Sequence, residues 1–225
     1  MPVALITGAS RGLGRALAEA LAARGWDLVV DARTGDALSA APGHHVPGDV
    51  TDPAHRDALV RAVADLGGVD LLVNNASTLG ASPMPAVADL DPRILDDTLQ
   101  TNVVAPHALT RALLPRLVER RGVVLNVSSD AAVEPYPGWG AYGASKAALD
   151  HLTRILAAEQ PSLRVYAVDP GDMRTQMHAD AFPGEDISDR PDPGTVVPHL
   201  LALLASDLPS GRYRAADVPV LEATA

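Results

Sequence analysis

Five short apolar runs punctuate the chain: Val3 to Ile6, Leu28 to Val30, Leu71 to Val73, Val123 to Val127 and Val165 to Val168. Each is nearly continuous rather than alternating, as strands covered on both faces require. Longer stretches of helical period separate them, which restricts the fold to β-α-β units around a parallel sheet, an α/β architecture. Leu13, Leu17 and Leu21 form one helical stripe, with Gly25 as its C-terminal cap. A second helix is predicted to start at Asp52-Pro53, with Asp as N-cap and Pro in the first turn, and to carry Leu59, Val63 and Leu66 inward. Two more are expected over about Pro92 to Leu117 and Tyr142 to Ala158. With no repeat and no linker, residues 1–225 read as one domain.

Composition removes several function classes. Without cysteine there is no disulfide framework and no thiolate metal site, and a cytoplasmic location is compatible. No residue cluster suggests a metal, and His44-His45 reads as a solvated loop pair. A net charge of −10 argues against nonspecific binding to nucleic acid or anionic membrane. No apolar run approaches the roughly 18 residues of a membrane span, and the chain enters its first strand without a basic leader, as a mature start would. From Asp172 to Gly194 the chain is rich in Asp, Arg, Pro and Gly with weak periodicity, and we read 172–194 as a substrate lid.

Two constellations carry chemistry. Thr7-Gly8-Ala9-Ser10-Arg11-Gly12-Leu13-Gly14 follows the first strand and opens the first helix. Its glycines allow a sharp turn and close backbone approach, and its free N–H groups favour a pyrophosphate. The second is Lys146, the single lysine among 18 basic residues, four positions after Tyr142. On a helix that spacing puts ammonium and phenol on one face, and a compact ammonium can serve a phenol and a sugar together where a planar guanidinium cannot.

The Gly-x-x-x-Gly-x-Gly spacing resembles the short-chain dehydrogenase/reductase family. So do Gly48-Asp49-Val50-Thr51-Asp52, Asn74-Asn75-Ala76, Asn102, Ser129, Tyr142-x-x-x-Lys146 and Pro170-Gly171-x-x-x-Thr175, in the family's order from Val3 to about Ala215. The resemblance implies a Rossmann-type doubly wound parallel sheet of about seven strands, helices on both faces, and an NAD(P)-dependent oxidoreductase. It further implies that Asp49 receives the adenine amino group, that Asn75 and Ala76 pack on the adenosine side, and that Leu13, Val50 and Met173 line the cofactor site. Pro170 and Gly171 would stand beside the nicotinamide, with Thr175 bonding its carboxamide.

In NAD-preferring relatives an aspartate ends the second strand; here Ala32 takes that place and Asp31 falls one residue early, turned to the opposite face. Arg33 and Arg11 occupy the places where NADP-preferring relatives carry phosphate clamps, and a guanidinium fork suits a phosphate dianion. NADP(H) is therefore the expected cofactor, with Ser10 and Thr34 as auxiliary donors and NAD(H) as the alternative. An NAD-linked alcohol dehydrogenase, motivated by Asp31, and a catalytically silent nucleotide sensor are the rival functions.

By the same resemblance Tyr142 protonates a substrate carbonyl as hydride arrives, Ser129 rather than Ser128 holds the substrate oxygen, and Asn102 positions a water that relays protons to Lys146. A charge about 4 Å away is expected to lower the phenol pKa, ordinarily near 10, by up to about three units. Tyr136, Trp139, Met177, His178 and Phe182 are the candidates for the substrate wall, which points to an apolar small-molecule carbonyl or alcohol. At the C-terminus Gly211-Arg212-Tyr213-Arg214 resembles the start of the last strand without the usual following Asp-Gly-Gly. This weakens the transfer of the family's common homotetramer and leaves helices 103–120 and 143–158 as faces for a homodimer.

Overall fold

A computed structural model describes residues 1–220. Its strands are β1 Val3–Ile6, β2 Asp27–Ala32, β3 His44–Pro47, β4 Leu71–Asn74, β5 Val123–Val127, β6 Arg164–Asp169 and β7 Gly211–Arg214. The helices are α1 Gly12–Ala22, α2 Gly35–Leu38, α3 Pro53–Asp65, α4 Pro92–Leu99, α5 Ala105–Arg120, α6 Gly140–Glu159, α7 Gln176–Ala181 and α8 Val197–Ala205. The seven strands form one parallel sheet in the order β3-β2-β1-β4-β5-β6-β7. No helix among the described residues is long and apolar enough to cross a membrane.

Strand alternation divides the core in two. In β1, Ala4 and Ile6 pack with Leu13, Leu17 and Leu21 of α1 and Leu200 and Leu203 of α8. Val3 and Leu5 face the other way, onto Leu59 and Val63 of α3 and Leu109, Leu113 and Leu117 of α5. Both faces of the central strands are therefore covered, which is why their runs are continuous rather than alternating. Burying each valine, leucine or isoleucine among them contributes roughly 1.5–3 kcal/mol.

Local signals account for the ends. Gly25, at φ 77°, donates to the Ala22 carbonyl while Trp26 donates to that of Leu21, a Schellman closure of α1. Asp52 caps α3 by accepting from the Ala54 N–H at 2.9 Å. Asp91 does the same for α4 through the Arg93 N–H.

Four expectations are corrected. His44-His45 is not a loop pair but opens β3, an edge strand whose exposed residues carry no apolar run. Leu66 follows the last turn of α3 and is 39% exposed rather than inward. The stretch from Pro92 to Leu117 is interrupted by a π-turn, Gln100–Val104. The segment 172–194 is not loop throughout, since it contains α7, capped by the Thr175 hydroxyl accepting from the His178 N–H at 3.2 Å.

Candidate active site

Strand order reverses between β1 and β4, so the connections leaving their C-terminal ends diverge and open a cleft there. The cavity measures about 960 Å³, the volume of an extended organic ligand rather than of a single small molecule. Its floor is the glycine turn. Gly8 and Gly12 hold φ of 68° and 58°, and a Cβ on Gly8 would meet the Ala76 Cα at 2.9 Å. Asn75 fixes the turn from across the crossover, its Nδ2 donating to the Thr7 and Gly8 carbonyls at 2.9 and 3.1 Å. The Thr7 hydroxyl accepts from the N–H groups of Asn75 and Ala76, each at 3.0 Å. A Cβ on Gly14 would strike the Gly8 carbonyl at 2.6 Å, so Gly14 serves turn packing and does not line the cleft. No side chain caps α1, whose first N–H groups thus remain available to an anion at the turn.

Asp31 has a different part from a ribose ligand. It is buried, and its Oδ1 accepts from the Gly8 N–H at 2.6 Å while Oδ2 faces His55 Nε2 at 3.0 Å. Burial pushes the Asp31 carboxyl up, against the opposing effect of His55 and the Gly8 N–H. Arg11 and Arg33 both line the cleft, and neither has an ion pair among the described residues. Ser10, Leu13, Val50 and Ala76 line the same end. Asp49 lies there too, with Oδ1 accepting from the N–H and hydroxyl of Thr51 at 2.8 and 2.7 Å, which holds its pKa low. Thr34 stands outside the lining, at the residue before α2.

At the other end Tyr142 and Lys146 project from α6 into the cleft, both buried. The Lys146 ammonium donates to the Val127 carbonyl at 2.7 Å and lies 5.4 Å from the Tyr142 ring centroid. Burial lowers its pKa to about 8, with Asp150 opposing. The expected lowering of the phenol pKa is not what this arrangement produces: burial pushes Tyr142 up, the hydroxyls of Ser129 and Ser77 pull it down, and Asp130 and Asp169 raise it. Lys146 is turned to a carbonyl rather than to the phenol oxygen. Ser129 stands beside Tyr142, while Ser128 has a buried hydroxyl without a protein partner among the described residues.

Asn102 is buried within the π-turn and does not line the cleft. Its Oδ1 accepts from the Ser77 hydroxyl and the Thr78 N–H at 3.1 and 2.9 Å. Its Nδ2 donates to the Thr78 carbonyl and the Ser145 hydroxyl at 2.8 and 2.9 Å. The side chain is fully engaged, so it braces the loop after β4 against α6 and has no valence left to hold a relay water.

Of the expected substrate wall, Trp139, Met177 and His178 line the cleft. Tyr136 and Phe182 do not. Tyr136 is 44% exposed with its hydroxyl on Asp130, and Phe182 packs behind Trp139 and His178 at centroid distances of 5.8 and 4.9 Å. Pro170, Gly171, Met173 and Thr175 form the opposite lip. The Thr175 hydroxyl caps α7 as an acceptor, which leaves its own hydrogen free to donate.

Sequence reasoning missed Arg212. Its Nε donates to Asp150 Oδ2 at 2.9 Å, and its Nη2 to the Ser129 carbonyl at 2.9 Å and Asp169 Oδ2 at 3.4 Å. One guanidinium thus ties the ends of β5 and β6 to α6. The unusual residues after Gly211 were the available signal.

A doubly wound sheet with a glycine turn at its crossover, and a serine, tyrosine and lysine gathered at the far end of the same cleft, defines a Rossmann-type oxidoreductase. The short chain dehydrogenase family model matches residues 2–186, and the chain belongs to that family. Among its relatives, sepiapterin reductase of Xenopus tropicalis is 37% identical over 195 residues, covering 77% of this chain and 75% of that protein. Serine 3-dehydrogenase of Rhizobium radiobacter is 37% identical over 182 residues, covering 76% and 72%. The alcohol dehydrogenase of the archaeon Thermococcus sibiricus, solved in complex with 5-hydroxy-NADP, superposes with a TM-score of 0.84 at 25% identity over 95% of each chain.

Proposed function

We propose that this enzyme is an NADP(H)-dependent reductase of small-molecule ketones or aldehydes, built as one catalytic unit with residues 172–194 closing over the substrate. The observation that carries the cofactor choice is the division of labour at the adenosine end. Asp31, the carboxylate that would favour a ribose diol, is occupied by Gly8 and His55, while Arg11 and Arg33 line the cleft with guanidinium groups that have no ion pair among the described residues. Two cations, with Asp31 engaged by Gly8 and His55, suit a 2′-phosphate. The relatives named sepiapterin reductase and the neighbour complexed with an NADP derivative support the same reading.

The glycine turn and the uncapped start of α1 fit a pyrophosphate, and the dinucleotide, when bound, supplies the hydride. The chain's own residues do the rest. Trp139 and Met177 exclude water from one side of the carbonyl, Ser129 directs its oxygen, and Tyr142 transfers a proton from its hydroxyl to that oxygen. Lys146, charged below about pH 8, is held by the Val127 carbonyl where it can also meet a sugar hydroxyl.

The test pairs binding with turnover. NADPH should bind more tightly than NADH, and Arg33→Ala should weaken NADPH alone by about 10- to 100-fold, the range of a charge-assisted hydrogen bond. Tenfold tighter NADH would overturn the cofactor assignment. Across a panel of neutral ketones and aldehydes, Tyr142→Phe should lower NADPH oxidation at least ~100-fold.

A further inference from the structure

The residue after Ser129 is an aspartate, and the mechanism above gives it no part. Asp130 opens the short 3-10 turn leaving β5, and its carboxylate folds back over that turn. Oδ1 accepts from the Ser129 hydroxyl at 3.0 Å and from the Ala131 N–H at 2.8 Å, and Oδ2 accepts from the Tyr136 hydroxyl at 2.9 Å. These partners are two hydroxyls and an amide. Among the described residues Asp130 has no ion pair.

The other carboxylates around Tyr142 each have a guanidinium within ion-pair distance. Asp169, at the end of β6, lies 3.4 Å from Arg212, and Asp150, further along α6, lies 2.9 Å from the same guanidinium. Across the cleft Asp172 stands 3.8 Å from Arg190 and 3.7 Å from His178. Lys146 has its ammonium on the Val127 carbonyl. Asp130 is, of these carboxylates, the one with no ion pair among the described residues, and it is the first of the charges that raise the phenol pKa.

We propose that Asp130 is a positioning residue for carbonyl reduction, one that holds the Ser129 hydroxyl hydrogen and keeps the proton on Tyr142. The proposal rests on the reading of Tyr142 as the acid. A serine hydroxyl has one hydrogen, and a carboxylate is a stronger acceptor than a phenol. With that hydrogen on Asp130 and one lone pair taken by the Ala131 N–H at 3.1 Å, Ser129 has a single lone pair left for Tyr142, and it donates to the substrate oxygen only by exchanging one acceptor for the other. Independently, an anion beside a phenol disfavours the phenolate. This agrees with the upward displacement of Tyr142, in which burial is the largest cause and Asp130 the first of the charges.

The pH profiles of kcat/KM for ketone reduction and for oxidation of the product alcohol decide the matter, measured on wild type, Asp130→Asn, Asp130→Ser and Asp130→Glu. Both neutral variants should move the alkaline limb of reduction and the acid limb of oxidation to lower pH by about half a unit, roughly threefold in rate at a fixed pH on the limb. Asp130→Glu should return both limbs toward wild type. Lower rates with unmoved limbs would assign Asp130 to holding its turn and overturn the proposal, as would limbs displaced upward. Activity that survives Tyr142→Phe would instead overturn the reading of Tyr142, and the proposal with it.

Discussion

Lys146 is buried at the cleft, and folding should register the cost of its charge. Its pKa stands at about 8 in the folded protein against 10.5 for the free side chain. That difference corresponds to about 3 kcal/mol of stability withheld wherever both states carry the proton, which is everywhere below about pH 8. The sign follows from the depressed folded value. Between pH 8 and 10.5 the unfolded chain binds more protons than the folded one, so stability rises with pH through that window. Lys146→Met removes the charge and keeps the length, but leaves the Val127 carbonyl without its donor, a loss of about 1 kcal/mol. The variant should therefore be more stable than wild type by about 2 kcal/mol at pH 7, an upward displacement of Tm by about 4–8 °C for a chain of this size. By pH 10 the advantage should have vanished, because the wild-type penalty there is below about 1 kcal/mol. Urea unfolding at both pH values without cofactor reads the difference, and ketone reduction should fall at least ~100-fold in parallel. A variant less stable than wild type at pH 7, or one whose advantage is the same at both pH values, would refute the account of Lys146 as a destabilised cation.

Arg212→Met should cost about 3–5 kcal/mol, because it strands the buried carboxylates of Asp150 and Asp169 together, and Asp150 already has one oxygen without a partner; thermal denaturation measures it, and a loss below about 1 kcal/mol would show that the two carboxylates find water. Gly8→Ala combines an unfavourable φ of 68° with a Cβ at 2.9 Å from the Ala76 Cα. The turn must open to admit it, so NADPH affinity should drop at least ~10-fold with a stability loss of about 1–3 kcal/mol, read by fluorescence titration and by melting.

Features written in local pattern were legible. The continuous runs mark strands buried on both faces, and Asp52-Pro53 and Gly25 mark helix ends, because caps and covered strands depend on residues within one turn of each other. β3 escaped because an exposed edge strand needs no apolar run, and α7 because six residues give no periodicity to detect. The side chains that brace the site were illegible for a different reason: their bonds join residues distant in sequence. Asp31 meets His55 across 24 positions, Asn102 meets Ser145 across 43, and Arg212 reaches the Ser129 carbonyl across 83. Each partner is an ordinary polar residue until the fold places it. The roles expected of Asn102 and Asp31 were read from position along the chain, whereas the actual constraint on each is the set of donors and acceptors that burial obliges it to satisfy.

The same obligation explains how a motif of two residues acquires a fixed geometry. Asn74 and Asn126 are register partners on β4 and β5, and at 2.7 Å Asn74 Nδ2 donates to Asn126 Oδ1. The Asn126 amide then donates to the Thr153 hydroxyl at 2.8 Å, which itself donates back to the Leu149 carbonyl. Thr153 therefore sets the rotation of α6 against the sheet, since turning that helix would take from the buried Asn126 amide its bond to Thr153. Tyr142, Lys146 and Thr153 lie at spacings of four and seven residues, a single stripe of an α-helix. Parallel register thus fixes a buried amide pair, the pair fixes the phase of α6, and that phase turns phenol and ammonium into the cleft. Lys146 has no freedom to relieve its desolvation by rotating outward, which is why its charge is held at the cleft and why replacing it should make the fold stronger.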